Sequence, residues 1–426
     1  MDGGGGGGCA PLGGDCGDEG HPTPTSVARA EVAAEVAACL ARAGGGRAPP
    51  LARERHVAYL TRSLGGLPAS FAGLDASRPW LVYWTLQALD LLGARPPERD
   101  ARAVVAFLRR CQHPEGGFGG GPRQAPHTAS TYAAVLALAV VGTPDALAAV
   151  DRAGLLAFVR SVRDAATGGF RVQPDGELDV RGTYTVLAVC HLTGLLDAAP
   201  ELAAGAADFL LRCQSHEGGF GGEPGNEAHG GYTYCAVAGL ALAGALGRCD
   251  VRALTRWLVG RQAAVEGGLQ GRCNKLVDSC YSFWLGAVFA LLPHPPPPPP
   301  ADGGGAGGAG GAADDGGDDD SGSALRLLDR ARLQAYLLAC CQAPEGGLRD
   351  KPGKPRDLYH TCYALGGLSL AQHTHAGGSR RELVLGDAGN ELAATHPLFN
   401  LRPERLAAAR AFFGGAAAAA GAAAAR

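Results

Sequence analysis

The stretch that decides the fold is residues 111–118, Cys-Gln-His-Pro-Glu-Gly-Gly-Phe, which closes one apolar segment and leads into a polar loop. Its Gly-Gly pair followed by Phe or Leu recurs, with first glycines at Gly65, Gly116, Gly168, Gly218, Gly267 and Gly346. The successive spacings are 51, 52, 50, 49 and 79, and the last falls to 48 when the tract 293–323 is set aside. A constant period near fifty residues predicts six copies of one structural unit.

Each unit is predicted to contain two helices. An Ala- and Leu-rich segment such as 101–111 ends at the Gly-Gly turn, because glycine readily adopts the positive φ that ends a helix. After a polar loop, a second segment such as 131–141 is apolar nearly all round, as a buried helix is. Hairpins with one polar-faced and one buried helix predict an all-α protein, an (α/α)6 toroid of two concentric layers. An open solenoid is the alternative, and the lack of polar capping units favours the closed ring.

Three segments lie outside this pattern. Residues 1–25 are rich in glycine, residues 293–323 contain six consecutive prolines followed by Gly, Ala and Asp, and residues 414–426 are rich in alanine. Because such compositions bury too little apolar surface to order themselves, we expect disorder in all three. The toroid domain is therefore predicted over residues 26–413, interrupted by the 293–323 loop.

Composition and charge exclude several classes of protein. The chain has 38 basic and 41 acidic residues and a formal net charge of −3, which gives no overall attraction to nucleic acid or to an anionic membrane. No apolar run is long enough to predict a transmembrane segment, and no secretory signal or myristoylation motif is visible. The 13 cysteines lack the spacing of a secreted disulfide scaffold. We therefore expect a cytoplasmic protein with reduced thiols.

A mixed set of metal ligands lies at the starts of two predicted inner helices. Asp278, Cys280 and His360 follow the first glycine of their units at similar offsets, so a closed ring places them at one mouth. A carboxylate, a thiolate and an imidazole suit Zn²⁺, and three protein ligands leave open the fourth position of catalytic zinc. Spacing alone leaves open that Cys280 is an inert buried thiol and His360 a core histidine.

Cationic and aromatic residues surround that set. Two arginines, a lysine, a histidine and a phenol near helix starts suit a phosphate or diphosphate, although a solvated basic loop is the alternative. They are Arg181, His229, Arg272, Lys275 and Tyr281. The aromatic residues at the inner-helix starts are Trp80, Trp84, Tyr184, Tyr232, Trp284 and Tyr359. Aromatic side chains are usually core packing, but beside the cations they predict an apolar funnel for an isoprenoid diphosphate.

Three stretches of the sequence resemble the β subunits of protein prenyltransferases: residues 266–284, 350–354 and 357–363. The resemblance extends over about residues 57–413. Within the family, Arg-Cys-Asn-Lys at 272–275 and Asp-Lys-Pro-Gly-Lys at 350–354 are the variants of farnesyl-transferring members. Geranylgeranyl-type relatives usually have proline at the position of Cys273.

The resemblance implies an activity and a role for each group of residues. The activity is zinc-dependent transfer of a farnesyl group from farnesyl diphosphate to the thiol of a C-terminal Cys-a-a-X motif, forming a thioether. The zinc ligands are Asp278, Cys280 and His360. The catalytic residues that hold the diphosphate are His229, Arg272, Lys275 and Tyr281. Asp350 would help to place Mg²⁺ on the diphosphate, and a helical-repeat α subunit would complete a heterodimer and supply a further lysine.

The resemblance also implies two sets of substrate contacts. The lipid and the diphosphate would contact Arg181, Tyr184, His229, Gly231, Tyr232, Cys235, Arg272, Lys275, Tyr281 and Trp284. The peptide would contact Leu74, Ser77, Trp80, Trp84, Ala129, Arg181 and Tyr359. Trp80 would close the bottom of the lipid pocket, so that a three-isoprene chain fits and a four-isoprene chain does not.

Other functions stay open at this point. The nearest is that of a geranylgeranyltransferase type I β subunit. Terpene cyclases share double-layered helical rings and Gln-x-x-x-Gly turns, such as 112–116 and 214–218 here, but they need a packed Asp-rich motif and no zinc. A non-catalytic toroid would bind neither a metal ion nor a diphosphate.

Overall fold

The computed structural model describes residues 22–44, 48–293, 323–373 and 383–424, with side chains described as far as residue 415. Helices are numbered α1 to α16 in chain order, and most of them form two layers. The outer layer contains α2 (Arg53–Gly65), α4 (Glu98–Cys111), α7 (Arg152–Ser161), α10 (Ala206–Arg212), α12 (Val251–Val259) and α14 (Arg330–Tyr336). The inner layer contains α3 (Arg78–Leu91), α5 (Thr128–Val141), α8 (Val180–Leu192), α11 (Gly230–Leu242), α13 (Tyr281–Leu291) and α15 (Leu358–Gln372).

The remaining elements connect or flank these hairpins. The other α-helices are α1 (Pro24–Arg42), α6 (Pro144–Leu147), α9 (Leu195–Ala198) and α16 (Pro403–Ala424). Short 3₁₀ segments are Ala69–Ser77, Pro200–Ala203, Leu246–Arg248, Ala324–Leu327 and Ala388–Asn390, and a π-helical turn, Leu337–Cys341, continues α14. Strands β1 (Leu348–Arg349) and β2 (Arg356–Asp357) pair antiparallel, with Leu348 opposite Asp357. In the part of the chain that the structure describes, no helix is long and apolar enough to cross a bilayer.

The inner helices form a closed ring. Each packs against the next along the chain, and α15 packs back against α3. The outer helix α4 buries a single stripe, which contains Val104, Val105 and Leu108, whereas nearly every residue of the inner helix α5 is buried. The predicted all-α, (α/α)6 toroid is therefore confirmed, and the open solenoid is excluded.

From Gly116 onward, the Gly-Gly turns are the joints between neighbouring hairpins, whereas a Cβ at Gly65 or Gly66 would have nothing within 4 Å. Gly116 has φ +88°, and a Cβ at that position would lie 1.7 Å from the carbonyl oxygen of Gly154 in the next outer helix. The nearby Gln112 side chain accepts a hydrogen bond from the Asp151 N–H at 3.1 Å and donates one to the Asp151 carbonyl at 3.2 Å. Because only glycine permits this approach, the period in the sequence is also the period of the packing.

A related joint closes the ring between the last and the first hairpin. The side-chain oxygen of Gln342 accepts from the Ala52 N–H at 2.8 Å and lies 2.9 Å from His56 Nε2. The N–H of Gly347 donates to His56 Nδ1 at 2.8 Å. His56 is fully buried, and this burial lowers its pKa. Since Nδ1 accepts a backbone N–H, the closing joint requires a neutral imidazole with its proton on Nε2.

A segment near the C-terminus enters the ring. The Tyr83 hydroxyl donates to the Asn400 carbonyl at 3.0 Å, and the Tyr184 and Tyr234 hydroxyls donate to the Leu398 carbonyl at 2.6 Å and 3.1 Å. The Tyr132 hydroxyl lies 3.0 Å from that of Tyr184. Phenols from four consecutive inner helices thus anchor this segment, because its carbonyl groups need partners once they are buried.

Helices extend past both predicted boundaries of the domain. Helix α1 starts at Pro24, with Thr23 as its N-cap, so the structure begins before residue 26; residues 1–21 lie outside the described residues. Helix α16 continues to Ala424, past the tail predicted from residue 414, because alanine has the highest helix propensity. Most of the 293–323 loop also lies outside the described residues, but Pro293 and Ser323 form an antiparallel bridge, so its two ends meet.

Candidate functional site

A cavity of about 400 Å³ lies inside the ring. Its lining contains most of the residues predicted to contact the lipid or the peptide: Trp80, Ala129, Arg181, Tyr184, His229, Gly231, Tyr232, Cys235, Tyr281, Trp284 and Tyr359. Tyr132 and Thr185 also line it, and the sequence analysis did not predict them. Residues from all six inner helices therefore line one largely apolar cavity.

Packed aromatic rings form part of the cavity wall. The Trp80 ring centroid lies 5.5 Å from that of Trp84 and 5.7 Å from that of Tyr132. Trp84 in turn packs edge-on against Tyr359, whose hydroxyl accepts a hydrogen bond from Trp284 Nε1 at 3.0 Å. Trp80 therefore lies within a packed group of aromatic rings that lines the cavity.

A signal in the sequence could have identified Tyr132. It follows the first glycine of its unit at the same offset as Tyr184 and Tyr234 do in theirs, so the three phenols occupy equivalent positions. Ring closure brings these positions together along the inner wall. Thr185 has no comparable signal, because its contact with the cavity depends on the rotation of α8.

Three predicted peptide contacts lie outside the cavity lining. Trp84 packs on Trp80 and Tyr359, which line it, and the other two lie before α3. Leu74 is 39% exposed on the 3₁₀ segment before α3. Ser77 is the N-cap residue of α3, one turn before Trp80. Both lie at the start of the helix that carries the aromatic wall, and their role as peptide contacts stays a prediction.

The three predicted zinc ligands come together. Their ligand atoms all lie within 4.8 Å of one another, and Asp278 Oδ1 is 3.4 Å from His360 Nε2. Asp278 and Cys280 lie at the entry to α13, and His360 lies in the first turn of α15, which packs beside α13. Among the described residues, these three side chains form the one group of His, Cys, Asp or Glu donors close enough together to hold a metal ion.

Charge coupling within this cluster is strong. Burial raises the pKa of Asp278, but the hydrogen bond and the charge of His360 outweigh burial and lower it. Burial lowers the pKa of His360, but Asp278 and Asp357 outweigh burial and raise it to about 9. Burial, with the charge of Asp278 added, raises the pKa of the Cys280 thiol well above its usual value. A divalent cation would favour both the thiolate and the neutral imidazole here.

The surroundings of His360 fit a metal-bound histidine. Asp357 is the N-cap of α15, and one of its oxygens accepts the His360 N–H at 2.7 Å. The other oxygen lies 2.5 Å from His360 Nδ1, which leaves Nε2 directed toward Asp278. A carboxylate on the far ring nitrogen is the usual support of a histidine ligand. Together with the oxygen, sulfur and nitrogen donors, it makes Asp278, Cys280 and His360 a fitting metal site.

His229 and Tyr281 form a hydrogen-bonded pair at the edge of the cavity. His229 is the N-cap of α11, and its Nδ1 accepts the Gly231 N–H at 3.1 Å, which leaves the proton on Nε2. That nitrogen lies 3.1 Å from the Tyr281 hydroxyl. Burial lowers the pKa of His229, and the charge of Arg272 lowers it further, whereas burial raises the pKa of Tyr281. His229 therefore donates its Nε2–H to the Tyr281 hydroxyl, whose own O–H is a neutral donor beside the cavity.

The predicted cations lie on loops around this pair. Asn274, at φ 57°, makes the turn that carries Arg272 and Lys275, since asparagine tolerates the left-handed region. Arg272 pairs with Glu227 at 2.9 Å, and Lys275 is exposed. In the third hairpin, the Arg181 guanidinium donates to the Asp179 carboxylate at 2.8 Å and lies over the Tyr232 ring. Arg272 and Lys275 thus remain at the surface beside the cavity.

Asp350 lies close to the metal site. One of its carboxylate oxygens pairs with Lys351, while the other is buried and has no hydrogen-bond partner among the described residues. Burial, with the charge of Asp278 added, raises the pKa of Asp350. A buried carboxylate oxygen without a partner is costly, and it is the kind of ligand that Mg²⁺ prefers. Asp350 therefore fits a supporting role toward a hard cation that receives its other ligands from elsewhere.

Comparison with known proteins defines the class. Residues 51–401 match the family described as the prenyltransferase alpha-alpha toroid domain, and the chain belongs to this family. It is similar to the protein farnesyltransferase subunit beta of Arabidopsis thaliana, at 45% identity over 75% of this chain and 73% of the relative. It is also similar to that of Pisum sativum, at 40% identity over 79% of this chain and 88% of the relative. The resemblance predicted from the sequence is confirmed.

Two further relatives help to place the chain within the family. The geranylgeranyl transferase type-1 subunit beta of Arabidopsis thaliana is 31% identical over 75% of this chain and 85% of the relative. A solved Candida albicans protein geranylgeranyltransferase-I complexed with GGPP aligns with a TM-score of 0.69 and 21% identity, over 86% of this chain and 100% of that chain. The structural likeness shows the fold, and the sequence identities are higher for the farnesyltransferase subunits. The chain is a prenyl transferase enzyme.

Proposed function

We propose that this chain is the catalytic β subunit of a protein farnesyltransferase that acts on C-terminal Cys-a-a-X motifs. The observation that carries the proposal is the junction between the aromatic cavity and the metal-ligand cluster. Tyr359 lines the cavity directly before His360 in the chain, and Tyr281 lines it directly after Cys280. A lipid in the cavity therefore has its reacting end beside the residues that would hold the metal ion.

The chemistry joins a sulfur atom to the first carbon of the lipid. The C–S bond forms while the C–O bond to the diphosphate breaks, and the diphosphate leaves. When Asp278, Cys280 and His360 hold Zn²⁺, the metal would favour the thiolate of the substrate cysteine at neutral pH. The N–H of His229 and the O–H of Tyr281 would donate to the departing diphosphate, where such donors have the most leverage.

Cationic and acidic residues complete the diphosphate site. Arg272 and Lys275 would exchange solvent and the carboxylate of Glu227 for the diphosphate oxygens, since a dianionic group attracts cations more strongly than one carboxylate. Asp350 would hold Mg²⁺ through its unpartnered oxygen. Because the relatives named above are β subunits, we propose an α subunit as the partner, in a cytoplasmic heterodimer.

Trp80 gives this enzyme its preference for the shorter lipid. Its ring lies within the aromatic wall of the cavity, so a smaller side chain would enlarge the space available to the lipid. The test is to co-express the chain with an α subunit and to compare farnesyl with geranylgeranyl incorporation into peptides ending in Met, Ser or Leu. Farnesyl transfer to the Met and Ser peptides is expected, and a preference for geranylgeranyl would overturn the proposal.

A matched pair of variants tests the role of Trp80 in the same assay. Trp80→Thr is expected to shift lipid preference toward the geranylgeranyl donor, whereas Trp80→Phe, which keeps an aromatic ring, should retain farnesyl preference. An unchanged preference in Trp80→Thr would refute the role of this side chain.

A separate measurement tests the metal site. The purified heterodimer is expected to contain one zinc ion, and Asp278→Ala or Cys280→Ala should lose most of the zinc and most of the turnover. Stoichiometric zinc with normal turnover in either variant would show that the metal assignment is wrong.

A further inference from the structure

Outside the cavity, two cysteines distant in sequence meet where α1 packs on the ring. Cys39 lies on α1, and Cys340 lies in the π-helical turn that ends α14. The Cys340 sulfur is 4.0 Å from the Val36 carbonyl, one helical turn before Cys39, and the Cys39 thiol lies near enough to contribute to the raised pKa of Cys340. The cysteines of the described residues are free thiols.

The two thiols differ in access. Cys39 is half-buried, and Arg42 donates a hydrogen bond to its sulfur at 3.1 Å. Cys340 is fully buried, and this burial raises its pKa to about 12. Cys39 is therefore the thiol that a small oxidant reaches first, and Cys340 is placed beside it as the second partner.

The helix that carries Cys39 is only lightly attached. Within α1, all of which is described, Val36 is the one buried side chain. Beside it, an apolar cavity of about 400 Å³ separates α1 from α14, with Leu40 on one side and Ala335 on the other. The same helix reaches the loop after Asp350, where a Cβ on Gly353 would lie 3.6 Å from the Glu35 carboxylate.

We propose that Cys39 and Cys340 form a reversible disulfide on exposure to hydrogen peroxide, which fastens α1 to the sixth hairpin. Peroxide oxidises the Cys39 sulfur: an S–O bond forms, the O–O bond breaks and one water leaves. The Cys340 sulfur then attacks Cys39, an S–S bond forms, the S–O bond breaks, and the Cys340 proton leaves with the hydroxide as a second water. A small thiol such as glutathione reverses the reaction by exchange. This inference is independent of the proposed function.

The test uses the co-expressed heterodimer treated with hydrogen peroxide and digested without reduction. We expect a cross-linked peptide that joins Cys39 to Cys340, lost in Cys39→Ser and in Cys340→Ser and restored to free thiols by glutathione. Cys249→Ser is the matched control, because it removes a buried thiol whose contact is a backbone carbonyl, and it should keep the cross-link.

Two further measurements distinguish a disulfide that stabilises α1 from incidental oxidation. In the oxidised protein, hydrogen exchange in α1 is expected to slow and the melting temperature to rise, and neither should change in Cys39→Ser. Sulfinic acid at Cys39 without a cross-link, or a bond from Cys39 to another cysteine, would overturn the proposal. Cys39→Ser changes only a half-buried surface position, so it keeps the test informative if Cys340→Ser folds poorly.

Discussion

At the residue scale, the site depends on side chains that each make two contacts. Asp357 caps α15 with one oxygen and holds the His360 ring with the other. His229 caps α11 with Nδ1 and faces Tyr281 with Nε2. Because helix capping fixes these side chains, their free edges are aimed before any ligand arrives, which is the physical meaning of preorganisation.

The first prediction concerns the Tyr281 hydroxyl. Tyr281→Phe keeps the ring in place and removes the O–H group that lies 3.1 Å from His229 Nε2. If this group donates to the leaving diphosphate, kcat for farnesyl transfer should fall about tenfold or more, with little change in KM for farnesyl diphosphate. Single-turnover kinetics of the heterodimer measures this. Equal loss in binding and turnover would instead indicate a packing role.

The second prediction concerns the support of His360. Asp357→Asn keeps an oxygen for the helix cap but no longer presents a carboxylate to Nδ1. Zinc affinity is expected to fall about 10- to 100-fold, because this partner orients the imidazole and raises its basicity. Competition with a chelator of known affinity reports the change, and the melting temperature of the metal-loaded protein should stay close to that of the wild type. Unchanged zinc affinity would remove the supporting role.

At the scale of elements, glycine positions decide how closely loops and helices approach. The Tyr281 ring packs on Gly271 in the loop before α13, and a Cβ at Gly271 would lie 2.0 Å from its Cζ atom. By contrast, a Cβ at Gly73 would have nothing within 4 Å. The position of the Tyr281 ring therefore depends on the absence of a side chain at Gly271.

The third prediction follows from that contrast. Gly271→Ala should displace the Tyr281 ring or its loop, reduce turnover, and lower the free energy of unfolding by about 1–3 kcal/mol through overpacking. Gly73→Ala is the matched control and should change stability by less than about 0.5 kcal/mol. Urea unfolding of the two variants gives the comparison. Equal stability of both would show that the loop adapts without strain.

At the scale of the whole molecule, the features that the sequence predicts are those that repeat with the fifty-residue period. The Gly-Gly spacing marks the hairpins and, from Gly116 onward, their joints, and similar offsets place Asp278, Cys280 and His360 at one height. Ring closure then makes neighbours of α13 and α15. The fold and the metal-ligand cluster could therefore be predicted from the sequence.

Features outside the period were not predictable in this way. The hydrogen bonds of the Tyr184 and Tyr234 hydroxyls depend on a carbonyl group of the segment around Leu398, which belongs to no repeat. The contact of Thr185 with the cavity depends on the rotation of one helix, and the cap on His360 depends on the side-chain rotamer of Asp357. Such details are set by packing, which a pattern of residue types does not specify.

The last prediction concerns closure of the ring at His56. Its folded-state pKa is lowered below the ordinary 6.5 by burial, so protonation favours the unfolded chain. The stability from this neutral imidazole is complete above about pH 6.5 and declines as the pH falls toward its lowered folded-state pKa, by at most about 1.4 kcal/mol per pH unit. His127, His191 and His229 also have lowered pKa values and contribute in the same direction.

His56→Gln should therefore be less stable at about pH 7.5 yet lose less stability than the wild type on acidification to about pH 5.5, as measured by urea unfolding. Parallel pH profiles for the two proteins would show that the joint between the first and sixth hairpins does not depend on the neutral histidine.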